Sequence, residues 1–365
     1  MITISLCMIV KNEEDVLERC LNSAKELVDE IIIVDTGSTD GTKDIAKKFT
    51  DKIYDFKWIN DFSAARNFAF DKATMDYTFW MDADDVILPE DQIKFNKLKN
   101  ELPSDIDVVM MHYNIAFDDK GRVTFSYYRE RLLRRSLNLK WHEPVHEYLK
   151  LSGKIVNSDV CITHAKIKEE KTSRNLEIYK ALLDRGEKLS PRGTYYYARE
   201  LKDNKKYEEA IRYFIEFLDS NRGWVEDNIS ACAELAKCYQ ALEDSKNALG
   251  AMFRSFSYDT PRGEICCQIG YHFKNNNQFR QAVYWFETAL SLEKPIDSWG
   301  FYQKDYWGYI PCLECAVCYD KLGNHIKAEE YNDKAAIYKP DSPAVAHNKK
   351  YFESKRQLLK EALKK

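Results

Sequence analysis

Thr78-Phe79-Trp80-Met81-Asp82-Ala83-Asp84-Asp85 decides how this chain folds. A continuous apolar run of strand length stops abruptly at three carboxylates in four positions, as a buried strand does where it reaches the rim of a sheet. The same grammar appears earlier, where Ile31-Ile32-Ile33-Val34 ends at Asp35-Thr36-Gly37-Ser38. The opening stretch, residues 2–10, is a third apolar run, and Lys11-Asn12-Glu13-Glu14 closes it. Residues 14–27 and 42–49 carry helical patterns between these runs. Strands alternating with helices predict a mainly parallel sheet with helices on its faces. Ligands of such sheets bind beyond the carboxyl ends of the strands, where both acidic motifs fall.

The chemistry of those ends follows from charge. Asp82, Asp84 and Asp85 crowd negative charge onto a partly desolvated rim, and like charges so placed repel unless a cation neutralises them. A hard divalent ion held by one or two carboxylates and completed by substrate phosphates resolves the conflict. Residues one apart face the same site, so Asp82 is a candidate for ribose or metal and Asp84 for metal. An acidic turn leading into a helix at Pro89 is the structural alternative. At the other motif, Gly37 and Gly41 permit tight turns, and Ser38, Thr39 or Asp40 suits a helix cap. Asp35 stands at the strand terminus, where it can accept hydrogen bonds from a base or ribose.

Beyond about residue 165 the strand signal ends and a repeat replaces it. Small residues Ala198, Ala236, Gly270 and Ala316 are each followed three places later by Leu201, Tyr239, Phe273 and Tyr319. Twelve places after each small residue stands an alanine: Ala210, Ala248, Ala282 and Ala328. Phe214, Met252 and Phe286 follow four further on in three of the four. The starts lie 38, 34 and 46 residues apart, and the long interval holds Trp299-Gly300-Phe301-Tyr302. Small residues at helix crossings let paired helices approach, while larger ones fill the space between pairs. This half resembles tetratricopeptide repeats, with Pro295 and Pro340 where that family ends its second helices. Residues 342–365 read as a capping helix with a basic, solvated outer face. Cys312, Cys315 and Cys318 have metal-like spacing, but on a helix they spread over more than one face and read as small core residues.

Composition narrows the classes. Lys and Arg total 55 against 59 Asp and Glu, which excludes a nucleic-acid binder driven by a large basic excess. Only 13 Gly and 9 Pro accompany 23 Tyr and 18 Phe, a balance suited to long packed helices. The apolar opening lacks a preceding basic residue and a cleavage site, so a buried strand is expected rather than a signal peptide. No apolar run approaches the roughly 18 residues of a membrane span. Ten cysteines without a secretory signal are expected as reduced thiols of a cytoplasmic protein.

Taken in order and spacing, residues 6–14, 35–42 and 80–85 resemble family 2 inverting glycosyltransferases of the GT-A fold. Trp58-Ile59-Asn60-Asp61-Phe62-Ser63-Ala64-Ala65-Arg66-Asn67 looks like the subgroup containing sublancin-type peptide S-glycosyltransferases. The resemblance implies an α/β GT-A domain, a Rossmann-like mixed sheet, over residues 1–165, followed by an all-α tetratricopeptide-like domain over 166–365. It implies a nucleotide pocket formed with Val10, Asn12 and Glu13, with Gly37 in its turn, and Asp35 on the uracil or ribose. Asp82 and Asp84 match its Asp-x-Asp motif, with Mg2+ or Mn2+ as cofactor. Asp61 and Arg66 would support the donor; for Arg66 an arginine–carboxylate strut is an equal reading.

The acceptor end is expected after the arginine-rich stretch 129–135. Arg131 or Arg134 could steady a diphosphate leaving group, or guard an exposed strand edge. In Trp141-His142-Glu143-Pro144-Val145-His146-Glu147 an inverting enzyme would find its base. His146 and Glu147 are favoured, Glu143 is the alternative, and Trp141 is placed to stack on a sugar. His164 is a candidate metal ligand or, equally, a core histidine. The expected partners are a nucleotide-sugar, a peptide or protein acceptor bound through the repeats, or a second copy forming a homodimer there. Rival readings are transfer to an envelope lipid or polysaccharide, nucleotidyl transfer, and a non-catalytic scaffold.

Overall fold

A computed structural model describes residues 1–118, 120–167, 173–293 and 303–362. The chain divides into two compact units, Met1–Leu189 and Ser190–Lys365. Pro295 and the aromatic insert at 299–302 lie outside the described residues.

The first unit begins β1 (Ile4–Val10), α1 (Leu17–Ala24), β2 (Glu30–Asp35), α2 (Thr42–Ala46), β3 (Ile53–Asp55) and α3 (Phe62–Phe70). It continues β4 (Tyr77–Trp80), β5 (Asp85–Val86), α4 (Pro89–Glu101), β6 (Val108–Phe117) and β7 (Val123–Arg134). β8 (Trp141–His142), β9 (Tyr148–Leu149), β10 (Ile155–His164) and α5 (Arg174–Asp184) complete it. The eight-stranded sheet has the order β3-β2-β1-β4-β7-β6-β10-β5, and β8 and β9 form a separate hairpin. β3, β2, β1 and β4 are mutually parallel, whereas β7 runs antiparallel to both β4 and β6. β1 lies between β2 and β4, so the connections leave it in opposite directions and open a crevice at their carboxyl ends. The apolar runs that predicted strands are the sheet centre: Leu6, Ile32, Ile33, Val34, Phe79 and Met81 have no solvent exposure. Against the expected boundary at 165, the first unit extends past β10 and takes α5 with it. Arg174 of α5 lies over the Phe62 ring of α3, 4.6 Å from its centroid.

The second unit is a stack of helix pairs. They are α6 (Pro191–Asp203) with α7 (Tyr207–Asp219), α8 (Val225–Ala241) with α9 (Ser245–Arg254), and α10 (Gly263–Asn275) with α11 (Phe279–Ser291). α12 (Tyr309–Lys321) with α13 (His325–Tyr338) follows, and α14 (Pro343–Ala362) caps the array. The repeat positions explain the pairing. Ala198, Ala236 and Ala316 of the first helices and all four partner alanines are fully buried. At Gly270 an added Cβ would stand 2.7 Å from the Phe286 ring, so only glycine fits that crossing without displacement. Cys315 and Cys318 are core residues of α12 and Cys312 packs in a neighbouring cluster, as a structural role requires. Among the described residues, no helix is long and apolar enough to cross a membrane.

Candidate active site

The crevice at the β1–β4 switch is a cleft of about 460 Å³. Ile9, Val10, Lys11 and Glu13 line it from the end of β1, Asp82, Ala83 and Asp84 from the end of β4, and His164 from the end of β10. Trp58, Phe62, Arg66, Arg129, His146, Glu147 and Arg174 close its other sides.

The acidic rim is built from three carboxylates in three different states. Asp85 is fully buried and already satisfied. Its Oδ2 faces Arg131 Nη1 at 3.1 Å and accepts from the Asp82 amide at 3.1 Å, while Tyr113 donates to Oδ1 at 2.8 Å. Asp82 accepts from Arg66 Nη2 at 2.8 Å. Burial opposes its charge, but Arg66 and Arg131 outweigh burial and hold its carboxyl below the usual range. Asp84 has no such cation. Burial and the neighbouring Asp82 and Asp85 push its pKa up, against the pull of His164 and a backbone hydrogen bond. Antiparallel pairing of His164 with Asp85 sets this contact, placing His164 Nδ1 3.6 Å from Asp84 Oδ1. Among the described residues, Asp84, Asp85 and His164 are the group close enough to share an ion, with ligand atoms within 4.8 Å of one another. Since Asp85 is committed to Arg131 and Tyr113, Asp84 and His164 are the two with capacity left. One carboxylate and one imidazole, with positions left for phosphate oxygens, fit a hard or borderline divalent ion. Glu13 also feels this charge: burial first, then Asp84 and Asp82, raise its pKa to about 7.

Beside the rim, Asp35 ends β2 with its side chain buried. Its Oδ1 accepts from the Gly37 and Ser38 amides at 2.9 Å each, while Oδ2 is buried without a partner. Such an orphaned acceptor is costly unless a ligand donor meets it. Gly37 adopts φ +106°, which the tight turn requires and which side-chain-bearing residues rarely reach. Asn12 braces this turn, its Oδ1 accepting from the Thr39 amide at 2.8 Å.

The stretch 61–67 turns out to be scaffolding for the hairpin. Asp61 caps α3, accepting from the Ala64 amide at 2.9 Å and from Ser63 Oγ at 2.7 Å. Asn67 clasps the Trp141 backbone, donating to its carbonyl at 3.0 Å and accepting from its amide at 2.8 Å. The Phe62 amide donates to the Pro144 carbonyl at 2.9 Å. Arg66 Nε donates to Glu147 Oε1 at 2.6 Å, and the guanidinium lies 4.9 Å from the Trp80 ring and 5.1 Å from the Trp141 ring. Burial works against its charge, but Asp82 and Glu147 more than compensate and raise its pKa. In the loop so held, Glu143 has φ +73° and His146 φ +54°. For residues with a side chain this left-handed conformation costs on the order of 1 kcal/mol each, a strain that surrounding contacts must sustain.

Several expectations need correcting. Arg131 is fully buried, stacked 3.9 Å from the Trp80 centroid and 4.5 Å from that of Tyr113, so it neutralises Asp85 instead of meeting a diphosphate. Arg134 pairs with Asp107 at 2.8 Å at the opposite end of the strands. Neither guards an edge, because β7 lies between β4 and β6. The arginine of this strand that reaches the cleft is Arg129, 4.8 Å from the Trp80 ring centroid. Trp141 is 2% exposed and packs on Trp80 at 5.1 Å, leaving no face for a sugar. Trp58 and Phe62, 4.7 Å apart, line the cleft together with Trp80. Trp58 stood inside a motif whose other residues drew attention. Arg174 and Asn175 also line the cleft and carried no sequence signal, since α5 follows the last strand.

Comparison with known proteins agrees with this geometry. Residues 5–151 match the profile of Glycosyl transferase family 2. A TPR repeat-containing protein of Synechococcus elongatus is 37% identical over 149 residues, 40% of this chain and 35% of that one. The SPbeta prophage-derived glycosyltransferase SunS of Bacillus subtilis is 34% identical over 225 residues, 58% of this chain and 52% of that one. The chain thus spans about half or less of the length of these relatives. The crystal structure of the TPR protein YrrB overlays with a TM-score of 0.36 at 23% identity, covering 48% of this chain and 81% of that one. Residues 5–151 of the N-terminal unit thus match a family 2 glycosyl transferase domain, and the C-terminal unit is a stack of helix pairs.

Proposed function

We propose that the chain transfers a sugar, with inversion, from a nucleotide-sugar, taken here to be a UDP-sugar, to a nucleophile on a peptide or protein. The observation that carries this reading is the meeting of Asp84 and His164 at the switch point, from positions 80 residues apart in sequence. Asp84 and His164 would hold Mg2+ or Mn2+, which when bound supplies electrostatic stabilisation to the diphosphate. Asp35 Oδ2 offers an acceptor to the nucleoside, and Trp58 a face for its base or sugar. Lys11, Arg129 and Arg174 bring positive charge to the cleft, where a departing diphosphate gathers negative charge. His146 is proposed to take the acceptor's proton as the nucleophile attacks the anomeric carbon and the bond to the diphosphate breaks. Glu143 is the alternative base.

For the acceptor, a polar groove of about 410 Å³ on the repeat unit offers Lys237, Gln240, Gln268, Tyr271, His272 and Asn275. Gln268 Oε1 is buried there without a partner, a ready acceptor for a backbone N–H. The test is direct: incubate the chain with UDP-glucose, UDP-galactose or UDP-N-acetylglucosamine and manganese, and measure UDP release. Release from at least one donor supports the reading. Release of pyrophosphate from nucleoside triphosphates, with no UDP from any donor, would replace it with nucleotidyl transfer.

A further inference from the structure

Glu147 lines the cleft beside His146, yet its carboxylate is held by Arg66 Nε at 2.6 Å. The same guanidinium donates through Nη2 to Asp82 on the donor rim, and it is 8% exposed between two indole rings. One planar fork therefore joins the strand end to the loop, an arrangement an ammonium cannot reproduce. Phe62, Arg66 and Asn67 of α3 hold positions 144, 147 and 141, so the helix grips the hairpin on both sides of its turn. Between the gripped positions stand Glu143 and His146, the two residues in left-handed backbone.

We propose that Arg66 and Glu147 are positioning residues: their ion pair holds the 143–147 loop against the donor rim and fixes where His146 stands, and Glu147 is an anchor and not the base. One Glu147 oxygen is taken up by the hydrogen bond from the buried Arg66 guanidinium, which ties the loop to α3. Removing the anchor frees a strained turn to relax, so the loss falls on the loop's order and on kcat, with the donor KM little changed.

This inference rests on the transferase reading, but its first measurement does not. Amide hydrogen exchange over residues 141–149 is compared in the wild type, Glu147→Ala, Arg66→Lys, their double variant and Glu147→Gln. Exchange is expected roughly tenfold faster in each of the first two, no faster in the double variant, and within about threefold of wild type in Glu147→Gln. Unchanged exchange in Glu147→Ala, or additive effects in the double variant, overturns the strut. The second measurement is sugar transfer from the donor identified by UDP release. Glutamine still accepts a hydrogen bond from Arg66 but takes no proton, so Glu147→Gln is expected to keep kcat within about tenfold while Glu147→Ala loses about 100-fold. Equal losses in the two variants overturn the anchor role and make Glu147 the base. If no variant, nor the wild type, releases UDP from any donor, the transferase reading fails and exchange still decides the strut.

Discussion

The two units fill their interiors differently. The sheet unit buries charge: Asp85 and Arg131 are both fully enclosed, and Arg66 lies between two carboxylates. The repeat unit gives its helix crossings to small residues, with Ala198, Ala236, Ala316 and the close approach at Gly270. Buried ion pairs are a poor source of stability but fix geometry sharply, whereas small-to-large packing stabilises without orienting a ligand. The sheet unit is thus organised around a site and the repeat unit around a surface.

Replacing one member of the buried pair tests that contrast most severely. Arg131→Met leaves the Asp85 carboxylate enclosed without its cation and is expected to destabilise by about 3–5 kcal/mol, measured by chemical denaturation. A loss below about 1 kcal/mol would mean that the pair is dispensable and the contrast unfounded. Asp84→Asn is expected to leave stability near wild type but lower UDP-sugar turnover by about 100-fold, and to abolish the thermal shift produced by manganese with UDP. Full turnover in this variant would remove Asp84 from the metal site. In the repeat unit, Gly270→Ala drives a methyl against Phe286. Overpacking of about 1–3 kcal/mol is partly offset by roughly 1 kcal/mol of helix propensity, for an expected net loss near 1 kcal/mol. A stabilised variant would show that the crossing has slack.

The smallest effect concerns Glu13. Its pKa, raised to about 7 from an ordinary 4.5, means that the folded state holds this proton more tightly than the unfolded chain. Its contribution is therefore favourable below about pH 4.5 and is lost as pH rises to about 7. With metal chelated, Glu13→Gln is expected to raise the melting temperature by about 2 °C at pH 8 and to change nothing at pH 4. A shift of equal size at both pH values would assign the effect to packing and not to charge.

The same contrast explains what could be read before folding. Equivalent residues recur in the repeat unit, so Ala198–Ala210 and its three counterparts announced the helix pairs by a constant offset. Strand ends were legible because apolar runs stop at Asp35 and Asp82, and His164 because it closes the last strand. Which arginine faces the cleft was not. Arg129, Arg131 and Arg134 share one strand, and the register shift between Val109 and Met110 in its pairing with β6 breaks simple alternation. Nor was the fate of the two tryptophans: Trp141 is buried against Trp80 of β4, while Trp58 lies beside Phe62 at the cleft. The Arg66–Glu147 contact joins residues 81 apart and left no local pattern.

Tyr113 carries a consequence for proton placement in the rim. Its hydroxyl has one proton, and the Asp85 carboxylate takes it at 2.8 Å. The 3.1 Å contact between Tyr113 and His164 Nδ1 must then run the other way, with the ring donating. A neutral His164 is thereby fixed as the Nδ1–H tautomer, and Nε2 keeps the lone pair. The three side chains act as a selector that leaves a single ring nitrogen basic, and it is set before any ligand arrives. Protonation, which contact with Asp85 favours, would occupy that nitrogen too, so a divalent ion held there as proposed would compete with a proton for the same atom.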